Sequence, residues 1–405
     1  TQNDFARPAR GYLSGDVQTK EEVSAMPKKQ LSDLMTPSLL IDLERLKNNI
    51  KKMAAKAESN GVNLRPHIKT HKCIEIGKLQ LEHGASGITV STLDEAAIFA
   101  DAGFHDITYA VPISSNKIKA ALEIASGINL RLLVDSHEMV SHLEAYSKKN
   151  GMSPEVLLKV HCGYHRTGVN PRDPASIKLA SKIERSSNLD FKGILTHAGH
   201  SYDAMSVKQI KEAAIQEQLE MVTFAKSLET KPEVVSIGST PTISLTDSIM
   251  EGITEVRPGN YVFYDYTQVA LGTCQVSDCV LTVVSRVIGK YDEYLVIDAG
   301  ATALSKDLGP THLESETSFG KIYSNYDNHE LDTILQISSL SQEHGTVKFF
   351  DLAAAQGHKV DEILRILPNH SCLTANLHDC YNVVGDGEII DQWKIRRERP
   401  ITSPC

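Results

Sequence analysis

The sequence has no cationic excess. Its 42 lysines and arginines face 51 aspartates and glutamates across 405 residues, a formal charge of −9. It therefore lacks the surplus of positive charge with which general binders of phosphate backbones release counterions, and nucleic acid is not expected as a partner. Long apolar runs are missing as well. Charged side chains break every candidate before it approaches the ~18 residues a membrane span needs, so no membrane is expected either. Residues 1–30 lack the apolar core of a signal peptide and carry acidic residues that mitochondrial presequences avoid, so they read as a polar extension. Cysteine is sparse and odd in number, with seven scattered at 73, 162, 274, 279, 372, 380 and 405. That pattern excludes a disulfide framework, and reduced thiols in a cytoplasmic setting are expected. No low-complexity segment is present.

What is there is an apolar content of 41%, enough to bury a large core in two or three domains. From residue 62 to 260 short β-branched runs alternate with amphipathic stretches. Strands are predicted at 63–68, 87–91, 106–110, 129–134, 155–161, 190–197, 233–238 and 253–258. Between them lie helical segments such as LDEAAIFADAG, with Thr92 and Glu95 spaced as a capping box and Gly103 placed as a C-terminal cap. Eight βα units predict an α/β fold with a (β/α)8 TIM-type barrel over residues 35–267, its active site at the C-terminal ends of the strands. After residue 268 the pattern changes to VLTVVSRVIG, EYLVIDAG, TILQIS and GTVKFF. A mostly β second domain is expected over 268–405, together with 1–34. The run PSLLIDL at 37–43 fits either domain. Lys47, Lys51, Lys52 and Lys56 are spaced for a solvated helix face.

Chemistry concentrates at the predicted strand ends. Lys69, in Arg65-Pro66-His67-Ile68-Lys69-Thr70-His71-Lys72, follows the first barrel strand. An amine in the barrel mouth would be desolvated and made a better nucleophile toward an aldehyde, the position of a Schiff-base lysine. Alone, the segment could equally be a basic loop on the rim. The loops after strands seven and eight, Gly238-Ser239-Thr240-Pro241-Thr242 and Arg257-Pro258-Gly259-Asn260-Tyr261, offer small residues, hydroxyls and backbone N–H groups where such barrels hold phosphate. A phosphate-bearing cofactor is implied. On an extended segment His370 and Cys372 would face one side and could bind one ion. H-x-C-x5-H-x-C spacing also permits a closed zinc site of His370, Cys372, His378 and Cys380.

RPHIKTHK, KVHCGYHRTGV, THAGHSY, SIGSTPT, VRPGNYVFYD and PNHSC, in this order, resemble the fold-type III pyridoxal-phosphate enzymes related to alanine racemase, in the D-serine dehydratase and D-threonine aldolase branch. The resemblance runs from about residue 35 to 390. It implies a head-to-tail homodimer with active sites at the subunit interface. It also implies that Lys69 forms the internal aldimine with pyridoxal 5'-phosphate and that Arg166 lies near the cofactor's phenolic oxygen. Ser239, Thr240, Gly259 and Asn260 would be phosphate ligands. His197, His200 and Tyr202 would lie beside the cofactor ring, although His197 also reads as a core histidine. Where the racemase-like motif has an acidic residue two places after a lysine, this chain has His161 after Lys159, and no role is assigned to it.

The resemblance further implies a divalent metal at His370 and Cys372. A soft thiolate selects zinc, whereas an aspartate would suit manganese or magnesium, so the pair points to the dehydratase type. The expected activity is zinc- and pyridoxal-phosphate-dependent dehydration of D-serine, or another D-3-hydroxy amino acid, to a keto acid and ammonia. Retro-aldol cleavage by a D-threonine or D-3-hydroxyaspartate aldolase is the alternative. Gln342-Glu343-His344-Gly345 is expected to face the site by the resemblance, and Asp298-Ala299-Gly300 with Ser305-Lys306-Asp307 to be a turn that shapes the dimer interface.

Overall fold

The computed structural model describes residues 29–402; most of the expected N-terminal extension, up to residue 28, lies outside them. The first sheet has eight parallel strands: Asn63–Leu64, Ile88–Val90, Asp106–Pro112, Asn129–Val134, Glu155–Lys159, Asp190–Leu195, Val234–Ile237 and Glu255–Val256. Each lies in one of the eight predicted windows, except that the third runs two residues past 110, to Pro112. From the second strand onward each pairs with its successor, and the eighth pairs with the first, Leu64 against Val256. A bridge between His67 and Thr89, with Thr89 N donating to Pro66 O at 2.8 Å, closes the ring. Ile88, Val90, Ile107, Leu132, Val134, Leu158 and Ile194 are buried, which is why these strands read as near-continuous apolar runs.

Helix entry follows the sequence signals. Glu95 N donates to Thr92 Oγ1 at 3.0 Å and Thr92 N to Glu95 Oε2 at 3.3 Å, completing the capping box of helix Leu93–Asp101. Gly103 follows at φ +92°, the left-handed conformation that ends a helix cheaply only without a Cβ. Helix Leu43–Ser59 is capped by Asp42. Along it Lys51 and Lys52 are exposed, while Lys56 donates to Ser244 O at 2.7 Å.

The second domain is mostly β. Its main path runs Glu330–Leu331, Lys321–Asn325, Ile363–Leu367, Leu281–Lys290, Ser38–Asp42, Cys380–Gly385, Glu388–Lys394. Tyr294–Ile297, Gly345–Phe349 and Leu335–Leu340 branch from the far end of Leu281–Lys290. Strand Ser38–Asp42 settles the ambiguity of PSLLIDL. It pairs antiparallel with Leu281–Lys290 on one side and parallel with Cys380–Gly385 on the other, so the expected barrel start at residue 35 moves to the helix that begins at Leu43. Leu39, Leu40 and Ile41 are all buried, as a strand in the middle of a sheet covered on both faces requires. Among the described residues no helix is long and apolar enough to cross a membrane.

Candidate active site

The first barrel strand runs into one 3-10 turn, Ile68–Thr70, with Lys69 at its centre. His67 caps the turn: its Nδ1 accepts a long bond from Lys69 N at 3.5 Å, and its Nε2 lies 3.2 Å from Ser91 Oγ. Burial first, then the charges of Lys69 and Arg257, hold His67 far below the ordinary histidine range, so it is a neutral ring. Lys69 itself is exposed in the single chain, so the desolvation expected of it is not met there. A turn beyond the strand end lifts the side chain above the barrel interior. The desolvated amine is Lys159, last residue of the fifth strand and only 5% exposed. Burial and the neighbouring Arg257 lower its pKa to about 7.

Around these amines the loops after strands five and six converge. His197 Nδ1 donates to Gly238 O at 3.1 Å, which fixes the tautomer and leaves Nε2 unprotonated. Burial, followed by the charges of Lys159 and Lys69, keeps this ring neutral as well. Tyr164 meets His197 edge to face, with centroids 6.2 Å apart, and the Arg166 guanidinium lies 5.1 Å from the centre of the Tyr164 ring. Arg166 is exposed on this loop, and its charge reaches both Lys159 and His197. His200 is half-buried, with a buried Nδ1 that no group among the described residues satisfies.

The two predicted phosphate loops stand side by side. Ser239 caps the short helix Thr240–Leu245; its Oγ lies 2.9 Å from Ser201 Oγ and 3.0 Å from Thr242 Oγ1. Thr240 Oγ1 accepts from Tyr261 N at 3.1 Å, which ties one loop to the other. Tyr202 lies against Thr240, and burial, with Cys372 and Asp265 nearby, pushes its phenol well up. Gly259 closes over the lysine turn, since a Cβ there would stand 3.0 Å from both Cβ and O of His67. Asn260 is buried; its Nδ2 donates to Asp265 Oδ2 at 2.6 Å, and its Oδ1 has no partner among the described residues. Hydroxyls, an orphaned buried acceptor and an orphaned imidazole nitrogen beside an exposed lysine suit a polar, phosphate-bearing cofactor.

His370 and Cys372 come together, though not on an extended segment. His370 is the N-cap of helix Ser371–Ala375, so Cys372 lies in its first turn, and the bend at the cap brings ring and sulfur into contact. Asp307 Oδ2 holds His370 Nδ1 at 3.3 Å, which leaves Nε2 available, a carboxylate–histidine arrangement suited to metal binding. Burial disfavours charge on both residues, yet their mutual attraction outweighs it, raising the imidazole well up and lowering the thiol. A thiol in contact with an imidazole oriented by a carboxylate is a donor pair that fits a soft divalent ion. Asp307 thus belongs to this site and not only to a surface turn. The four-ligand alternative fails: His378 Nε2 bonds Ala303 O at 3.0 Å, and among the described residues no three His, Cys, Asp or Glu side chains are arranged to hold a metal. Gln342 and Glu343 are exposed and bond Thr302, one short helix away from Ser371–Ala375.

Sequence reasoning passed over three buried groups that hold the loops. Glu217, from helix Val207–Ser227, accepts from Ala198 N at 3.1 Å, Gly238 N at 2.9 Å and Thr242 Oγ1 at 3.2 Å. Arg257 donates to Thr196 O and to Ile237 O, and burial brings its pKa down to about 10. Asp265 accepts from Asn260 and from Ser371. Arg257 and Asp265 lie inside the motif VRPGNYVFYD, whereas a glutamate within a long helix carries no local signal.

Residues 41–267 match the family of alanine racemase N-terminal domains, and residues 280–384 match the putative serine dehydratase domain. The chain is 38% identical over 391 residues to the D-serine dehydratase of Dictyostelium discoideum, spanning 90% of this chain and 97% of that one. It is 28% identical to a 3-hydroxy-D-aspartate aldolase of Paracoccus denitrificans (strain Pd 1222), over 92% and 95% of the two chains. The solved structure of D-threo-3-hydroxyaspartate dehydratase from Delftia sp. HT23 superposes with a TM-score of 0.85 at 32% identity, covering 92% of this chain and 100% of that one.

Proposed function

Because the chain belongs to the alanine racemase-like, fold-type III pyridoxal-phosphate lyases, with their barrel and serine dehydratase domain, we propose that it is a zinc-dependent D-serine dehydratase producing pyruvate and ammonia. The observation that carries this reading is the contact between the two candidate centres: Cys372 Sγ lies 3.3 Å from Thr70 Oγ1, the residue after Lys69. A β-hydroxyl held at His370 and Cys372 would therefore sit beside an α-carbon held at Lys69.

Lys69 would hold the cofactor, with Arg166, His197, His200, Tyr202, Ser239, Thr240, Gly259 and Asn260 around it, and His370 and Cys372 would hold the metal. When bound, pyridoxal phosphate supplies an electron sink for charge developing at the α-carbon, and zinc supplies a Lewis acid for the departing β-oxygen. The Lys69 amine takes the proton from the substrate α-carbon. Arg166 would set a fixed positive charge near the ring's phenolic oxygen. His67 and His197, both neutral, line the lysine without adding charge that would oppose its protonation. Asp307, by holding Nδ1 of His370, would leave Nε2 for the metal. A homodimer that covers the exposed Lys69 would supply the desolvation that the single chain lacks.

Dehydration or aldol cleavage of a D-3-hydroxyaspartate is the second reading, favoured by the similarity to the Delftia and Paracoccus enzymes. Both are tested together by supplying D-serine, D-threonine and D-threo-3-hydroxyaspartate to the purified protein and assaying keto acids, glycine and aldehydes. Pyruvate and ammonia from D-serine, lost with a chelator and restored by zinc, are expected. Glycine and aldehyde as the main products would replace the dehydratase by an aldolase. Turnover unchanged after complete metal removal, or in Cys372→Ala, would end the Lewis-acid role.

A further inference from the structure

Three segments far apart in sequence meet at the Cys372 sulfur. Besides Thr70 Oγ1 at 3.3 Å, Sγ has Asn260 Nδ2 at 3.7 Å, from the loop after the eighth strand. That Nδ2 is shared: it also donates to Asp265 Oδ2 at 2.6 Å and to Ser371 Oγ at 2.9 Å. Asp265 Oδ2 in turn accepts from Ser371 N at 2.9 Å and Ser371 Oγ at 3.2 Å, while its Oδ1 caps helix Tyr266–Ala270 through Gln268 N at 3.1 Å. Thr267 N and Thr267 Oγ1 both donate to Asn369 O, at 3.2 and 2.8 Å, which pins the residue before His370 to the same helix. Asp265 is 1% exposed, and every one of its bonds goes to the cofactor loop, the metal loop or the helix joining them.

A buried carboxylate with this many donors holds its partners in one arrangement, because Ser371 N or Gln268 N, if released, would lose its hydrogen bond away from water, and Asn260 Nδ2 would lose its shortest one. The cofactor loop and the metal loop therefore cannot be ordered separately. A ligand that fixes one meets most of the ordering cost of the other, and the second ligand then binds to a site already arranged.

We propose that Asp265, acting through Asn260 and Ser371, is a positioning residue that couples the two sites, so that zinc and pyridoxal phosphate each raise the chain's affinity for the other. This rests on the reading of His370 and Cys372 as metal ligands and of Lys69, Gly259 and Asn260 as cofactor-binding. Linkage makes the effect reciprocal, so both directions must give the same factor.

The test uses the full chain freed of both ligands. Zinc affinity is measured by competition with a chromophoric chelator, with and without saturating pyridoxal phosphate, and cofactor affinity is measured with and without zinc. In the wild type each ligand is expected to tighten the other by the same factor, about fivefold or more. In Asp265→Asn the factor should fall to about one while each ligand still binds. Ser371→Ala removes only the hydroxyl bonds and decides the matter if the first variant does not fold; it should give an intermediate factor. A factor of one in the wild type, or an unchanged factor in the variants, overturns the coupling and leaves the site reading standing. Zinc affinity unaltered by Cys372→Ala would overturn both.

Discussion

Two lysines divide the chemistry of the barrel mouth between them. Lys69 stands on a turn, exposed and beside two neutral histidines, and it is the amine expected to react. Replacing it with alanine should lower kcat by about 10³-fold or more and abolish the cofactor's visible absorbance; activity near the wild-type level would remove the Schiff-base assignment. Lys159 differs in kind, since its stem is buried in the barrel and its pKa falls from 10.5 to about 7. Between those two values the unfolded chain binds a proton that the folded chain does not. The stability of the cofactor-free protein therefore rises with pH across that window, and below about 7 the full penalty of burying the charge is present. Lys159→Met should accordingly raise the melting temperature most near the lower end of the window, with the gain shrinking toward the upper end. A pH-independent difference between variant and wild type would show that Lys159 is not buried as a cation.

At the scale of elements, the loops that carry the site are held from below by charged side chains of the barrel wall. Glu217 reaches from a helix to the backbone of two successive loops, at Ala198 and Gly238, and to the Thr242 hydroxyl. Glu217→Ala would leave two buried N–H groups unpaired, at about 1–3 kcal/mol each. A loss of about 2–4 kcal/mol in urea unfolding is therefore expected, with weaker cofactor binding at the Ser239 loop. A loss below about 0.5 kcal/mol would mean that water replaces the carboxylate. Gly, Ser, Thr and Asn after one apolar run are ordinary turn and cap residues, and these strand-end loops were legible because two such clusters follow the seventh and eighth strands while a lysine follows the first. Their supports were not, because a glutamate at position 217 looks like any solvated helix residue until the fold places it against a neighbouring loop.

Across the whole molecule the chain passes twice through the second domain. Strand Ser38–Asp42 enters it before the barrel is made and lies between Leu281–Lys290 and Cys380–Gly385. Removing residues 29–42 should therefore unfold the second domain, although nearly all of its sequence remains, because two strands lose their partner and the buried Leu39, Leu40 and Ile41 leave the core. Limited proteolysis would show rapid cutting between 281 and 394; resistance equal to the full chain would contradict the central role of this strand. The metal loop would be lost with the domain, since Asn369, His370 and Cys372 follow directly on strand Ile363–Leu367.

The alternation of apolar strands with capped amphipathic helices was determined by the sequence alone, because each βα unit satisfies its periodicity and caps from neighbours a few residues away. The candidate reactive residues were legible for a related reason: a lysine and two phosphate-type loops were placed by the strand ends they follow, and the H-x-C pair by its spacing together with the resemblance. Only the tertiary structure decided which domain owns residues 38–42, because a short apolar run fits a barrel or a sheet equally well until its partners are known. It likewise decided that His370 pairs with Cys372 and Asp307 and not with His378, and that Lys159 is the desolvated amine. Those outcomes depend on contacts between segments more than 300 positions apart, such as the 302 that separate Thr70 from Cys372, and local periodicity carries no record of them.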